Sequence, residues 1–170
     1  MVVLSPVTIT SWMMRGIGLL LNAQTTINSQ ILISRFLRKG GSNNYESIKL
    51  FDKFSTNVRD SVLSAVNLEV GEEPLVLSFS DENWWLLLTN KKIAWKTNNP
   101  LSWLWYKDFK TASIDTEKIL TLGASFKKYT KSLKLFSKSN EEFTVELAEA
   151  GEALFVLLNT LLWIPNAKLQ

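Results

Sequence analysis

The stretch WWLLLTNKKIAW, residues 84–95, restricts the folds open to this chain more than any other. It reads as two short apolar runs joined at a polar Thr-Asn-Lys-Lys turn, with Trp84, Leu86 and Leu88 on one face of the first run and Trp85 and Leu87 on the other. A strand with one wet face alternates apolar and polar residues. Here both faces are apolar, so both need cover.

The surrounding chain supplies strands at short intervals. From Pro74 onward, segments rich in valine, leucine and aromatics are divided by turn residues every ten or so positions, the pattern of a small antiparallel barrel or sandwich. Strands are expected at 75–80, 83–89, 92–97, 104–113, 117–123, 130–138 and 142–148, seven in all. The last is the cleanest, because Phe143, Val145 and Leu147 alternate with Glu142, Thr144 and Glu146. The period then changes, and Leu154, Leu158 and Leu161 share one face of a closing helix that Pro165 prevents from continuing.

Helices are expected before the strands as well. Val58, Val62, Ala65 and Val66 form one stripe, which predicts a helix from about Ser55 to Asn67, and Gly71 ends that unit. Further upstream, Met13, Ile17, Leu20, Ile27 and Ile31 recur at helical spacing behind a candidate Ser11 cap, and the segment stops at Arg38-Lys39-Gly40-Gly41. Gly16 and Gly18 leave open whether this is one helix or two. Residues 40–44 read as a linker.

The 170 residues, 46% hydrophobic and 21% charged, can bury one real core, so one domain plus an extension is expected. Cysteine and histidine are both absent, which removes disulfides, thiolate metal sites and the usual neutral-pH base. No cofactor, metal or catalytic machinery is expected. The net charge of +3 is mild but unevenly placed: residues 91–138 hold eleven lysines against Asp108, Asp115 and Glu117, whereas acids gather at 69–82 and 141–152. The N-terminus lacks the basic start and cleavage site of a secretion signal, and no apolar run reaches the ~18–20 residues that span a bilayer. A cytoplasmic protein is expected.

Element order and three stretches, WWLLLTNKKIAW, WYKDF and FTVEL with its following leucine-rich helix, resemble a pleckstrin-homology-like domain, particularly the bacterial type, over residues 55–164. The resemblance implies an α+β, mainly antiparallel fold: a seven-stranded, partly open barrel or sandwich with a C-terminal capping helix. Residues 1–44 are then an N-terminal helical extension, 45–164 the domain and 165–170 a tail. The amphipathic segment 12–37 is expected to cover the outer face of strand 83–89. A phosphoinositide site at the first hairpin is not expected, because Asp81 and Glu82 there would repel phosphate.

Three groups are candidates for partner contact. Trp103, Trp105 and Tyr106 are of types that anchor interfaces and equally fill cores. Lys127, Lys128 and Lys131 surround Tyr129 and could hold a polyanion or merely guard a strand edge. Glu142 and Glu146 could meet a basic partner or lie solvated. The absence of any nucleic-acid motif argues against RNA or DNA. The expectation is a non-catalytic protein-binding module, most specifically a small immunity protein that binds and neutralises a cognate bacterial toxin. The alternative is a peripheral membrane module in which residues 12–39 lie on lipid, with Trp12, Met13, Met14, Arg15 and the neighbouring leucines inserted and Arg35, Arg38 and Lys39 on anionic headgroups.

Overall fold

The computed structural model describes residues 26–42, 45–98, 100–114 and 129–170. It is an α+β fold with two antiparallel sheets. The larger has the order β1(Ile48–Leu50), β2(Pro74–Asp81), β3(Trp84–Thr89), β4(Lys92–Thr97), β5(Ser102–Trp105); the smaller is β6(Phe109–Ile114), β7(Ser132–Ser137), β8(Glu142–Glu146). Among the described residues three α-helices accompany them: α1(Ser29–Phe36), α2(Thr56–Ala65) and α3(Glu152–Leu161).

The two faces of β3 enter two different cores. Leu86 and Leu88 join Val76, Ile93 and Trp95 in the central core, where the two sheets meet α1 and α3. Trp95 of β4 lies 5.4 Å, centroid to centroid, from Phe143 of β8, which joins the sheets. Trp85 and Leu87 face the other way, onto Phe51, Val62 and Val66. Among the described residues the cover for that outer face is therefore α2, which lies within the domain; residues 12–25 of the expected covering segment lie outside the described residues. Where that segment is described, α1 packs beside α3 instead, burying Leu32 and Phe36 in the central core. The stripe of α2 was apolar enough to need a sheet beneath it, and it meets β2 through Leu77 and β3 through Trp85 and Leu87.

Helix α1 also corrects the expected phase. Asn28 caps it, its side chain accepting from the amides of Gln30 at 3.0 Å and Ile31 at 3.3 Å. Ile27 thus precedes the helix and sets no helical phase, which is why Ile31 is exposed and Leu32 buried. The expected cap at Ser11 lies outside the described residues. At the other end a π-turn, Leu37–Gly41, unwinds at Gly40, whose φ of 107° suits glycine. Gly41 sits against the buried Phe36 ring, and a Cβ built there would fall 2.3 Å from the ring's Cε1. Gly41→Ala is expected to cost about 1–3 kcal/mol through overpacking, read as a lowered midpoint in chemical denaturation.

Eight strands occur among the described residues, not seven. The three-residue β1, paired with β2 from Ile48↔Ser78 to Leu50↔Val76, carries too short a pattern to read from sequence. The segment 104–113 is two strands in different sheets, β5 and β6, parted by a turn in which Asp108 N donates to Trp105 O at 2.9 Å and Phe109 N to Tyr106 O at 3.3 Å. Its aromatic run WLWYKDF contains neither glycine nor proline, so the corner carried no turn signal. The expected strand 117–123 lies outside the described residues. Helix α3 buries Leu154, Leu158 and Leu161 as expected, and also Val156, Leu157 and Thr160, because α1 covers its second side.

The polar Thr-Asn-Lys-Lys turn is buried rather than wet. Thr89 Oγ1 accepts from the amides of Lys91 and Lys92, both at 3.0 Å. Asn90 binds the 71–73 loop with both ends of its side chain: Nδ2 donates to Gly71 O at 3.1 Å, and Oδ1 accepts from Glu73 N at 2.9 Å. The β3–β4 hairpin is thereby fixed to the loop that follows α2.

Candidate functional site

Strands alternate their faces, so Lys92 and Ala94 of β4 share the outer face with their cross-strand partners Trp105 and Trp103 of β5. Between these residues and the C-terminal end of α2 lies a groove of about 360 Å³, lined by Val66, Leu68, Ala94, Leu101 and the two tryptophans, with Lys92 at its floor. Lys92 is only 5% exposed. Its Nζ donates to Glu72 Oε2 at 3.0 Å and to Asn67 O at 3.1 Å, and stands 5.0 Å over the Trp105 ring. Glu72 Oε2 also accepts from Glu69 N at 2.9 Å. The floor is thus a charge pair braced between the 67–72 loop and β4, and this bracing holds Trp105 in place while leaving Trp103 at the rim.

A larger groove, about 490 Å³, runs past Leu37, Tyr45, Lys49, Leu50 and Lys53. It has no buried charged group to orient a ligand and no tryptophan to anchor one, so size alone favours it.

The candidate residues separate on this framework. Trp103 is 52% exposed and Trp105 half-buried, and together they form one wall of the smaller groove. Tyr106, expected with them, is a core residue at 2% exposure; its hydroxyl donates to Thr89 O at 2.5 Å. Burial, and after it the Glu72 carboxylate, hold its phenol well above the usual tyrosine range, so it stays neutral and cannot present a charge to a partner. The side chain following Trp105 must point to the opposite face, which is the physical reason for its burial.

Lys127 and Lys128 lie outside the described residues. Tyr129 is exposed, and Lys131, also exposed, reaches back to donate to Ala148 O at 3.3 Å. Glu142 pairs with Lys134 across β7–β8 at 2.9 Å, and Glu146 is half-buried opposite Ser132. Glu142 and Glu146 belong to the three-stranded sheet and Lys131 lies just before its β7, whereas the tryptophans belong to the outer face of the five-stranded one. Lys92, Glu72 and the apolar residues of α2's end were missed, since a Lys-Lys pair in a turn reads as solvated surface. The one usable signal was that Lys92 opens a strand whose alternate position, Ala94, is apolar.

Among the described residues no helix is long and apolar enough to cross a membrane. Compared with known proteins, the chain matches no family model, no curated protein and no solved structure.

Proposed function

We propose that this chain is a non-catalytic protein-binding module of the pleckstrin-homology-like kind, with its contact surface on the groove between α2 and β4–β5. The observation that carries the reading is Trp103: a tryptophan 52% exposed at the rim of an apolar groove whose floor is immobilised by a buried charge pair. Large, pre-positioned aromatics concentrate binding energy because they bury much apolar area at little entropic cost. The family part of the proposal is supported by element order: four strands linked in sequence, β2 to β5, then three more and a helix packed in the core. The most specific form of the proposal is an immunity protein that neutralises a cognate bacterial toxin in the cytoplasm.

The test is capture of partners from native lysate by the tagged full-length chain and by Trp103→Ala, with liposome flotation in parallel. One stoichiometric partner is expected with the native chain, and Trp103→Ala is expected to weaken its binding by about 2 kcal/mol or more while leaving the melting temperature nearly unchanged. Growth arrest by that partner alone, relieved by co-expression of this chain, would establish the immunity form. Capture indifferent to Trp103 would remove the groove as the contact surface, and flotation on anionic vesicles with no partner would favour a membrane role instead.

A further inference from the structure

Resting on that reading, we propose that the groove's partner docks as a strand: an extended, acidic segment of another protein adds to the open edge of β5 as a sixth strand of the larger sheet. Strand β5 ends the five-strand order, and among the described residues it pairs only with β4. Its hydrogen-bonding phase follows from the adjoining turn. Tyr106 N donates to Lys91 O at 3.1 Å, so Lys91 and Tyr106 face each other as a hydrogen-bonded pair. Such pairs recur every second residue in an antiparallel ladder, which makes Ile93/Leu104 and Trp95/Ser102 the next ones inward. Trp103 and Trp105 therefore turn their backbone groups away from β4, toward the open edge. The Trp105 carbonyl is taken by Asp108 N, and among the described residues both amides and the Trp103 carbonyl remain to meet an added strand.

Natural edge strands are commonly blunted by brevity, lysine, proline or a bulge. Strand β5, Ser-Trp-Leu-Trp, is short, but it contains no lysine or proline, and its pairing with β4 has no register shift. An incoming strand would present alternate side chains to the outer face beside Trp103, where the groove takes an apolar residue.

Charge selects the partner. Lys91 and Lys92 are neutralised by Glu69 and Glu72. Lys96, on the Ala94 face of β4, and Lys107, in the turn after Trp105, have no ion pair among the described residues, and Lys110 follows on β6; Asp108 is the one acid in that turn. This local positive excess attracts a segment bearing glutamate or aspartate. It also disfavours a second copy of this chain, which would bring like charges together across the paired edges.

The probe is a fluorescein-labelled heptapeptide alternating glutamate with valine and leucine, titrated against the full-length chain at low ionic strength, with a lysine-for-glutamate counterpart. Two N-methylated versions of the acidic peptide each block one alternating set of its amides, and so one hydrogen-bonding edge. The acidic peptide is expected to bind at least tenfold tighter than its lysine counterpart. Methylating one edge should weaken binding at least tenfold, and methylating the other should change it little. Trp103→Pro removes an amide that has no ladder partner, so it should abolish binding with little change in the thermal melt.

Equal binding of acidic and basic peptides, equal tolerance of both methylations, or no peptide binding at all would overturn the proposal. A concentration-dependent dimer lost in Trp103→Pro would overturn it in favour of self-association. Should the peptides fail while capture still depends on Trp103, the strand mode falls and the protein-binding reading stands. If capture too ignores Trp103, both fall.

Discussion

Lys92→Ala is expected to destabilise the protein by about 3–5 kcal/mol, the cost of stranding one member of a buried ion pair. Its partner, the Glu72 side chain, is 0% exposed, and the pair is 3.0 Å apart. Removing the ammonium leaves Glu72 with a single donor, the Glu69 amide, while Oε1 already has no partner among the described residues. A carboxylate in that position must keep its charge without compensation, take up a proton, or draw water in by opening the 67–72 loop, and each alternative costs free energy. Truncation also removes the ammonium from over the Trp105 ring. The double variant Lys92→Met with Glu72→Met should recover most of the loss, because two apolar side chains of similar length fill the space without a charge to desolvate. Urea denaturation of the native chain, Lys92→Met, Glu72→Met and the double variant closes the cycle, with Lys92→Ala measured beside them. A cost below about 1 kcal/mol for Lys92→Ala would mean that water reaches Glu72 freely, as at an exposed pair.

That pair marks the limit of what could be read from residues alone. Patterns that repeat along the chain were legible: the alternation of β8, the stripe of α2 and the leucines of α3 each have a period that one backbone geometry satisfies, and the apolar runs of β3 and β4 were read from their length and the turn between them. The demand for cover on both faces of β3 was legible for the same reason. Which element answers that demand was not, because α2 and the upstream segment both carry apolar stripes and the sequence does not rank them. Nor was the corner at Tyr106–Asp108, where the turn is closed by main-chain bonds that leave no residue signature. The groove was half legible. Trp103 and Trp105 stood out by type, but Lys92 and Glu72 meet across twenty residues of chain, and Tyr106 leaves the group because consecutive strand residues point to opposite faces.

Trp85→Ala should cost about 3–5 kcal/mol, the usual range for deleting a buried tryptophan, and Trp84→Ala less, because it hides a smaller area. The two residues are neighbours of identical chemistry, so the difference isolates the cover. Trp85 is 2% exposed on the outer face, packed with Val62, Val66, Leu77 and Leu87 between the sheet and α2. Trp84 begins β3 on the opposite face, half-buried, where the strand pairs with Thr97 at the end of β4. Deleting the Trp85 indole opens a void that the β-sheet cannot close, because its backbone is held on both sides by β2 and β4, and α2 would have to move toward the strand to fill it. Val62→Ala in the same background tests that coupling: once the indole is gone, the valine has lost its main neighbour, so the two costs should fall short of additive. Denaturation followed by far-ultraviolet circular dichroism reads the native chain, the three single variants and the Val62/Trp85 double variant without relying on tryptophan emission. Equal costs at positions 84 and 85, with strict additivity for Val62, would mean that α2 does not seal the outer face, and the second apolar side of β3 would again need a partner from elsewhere.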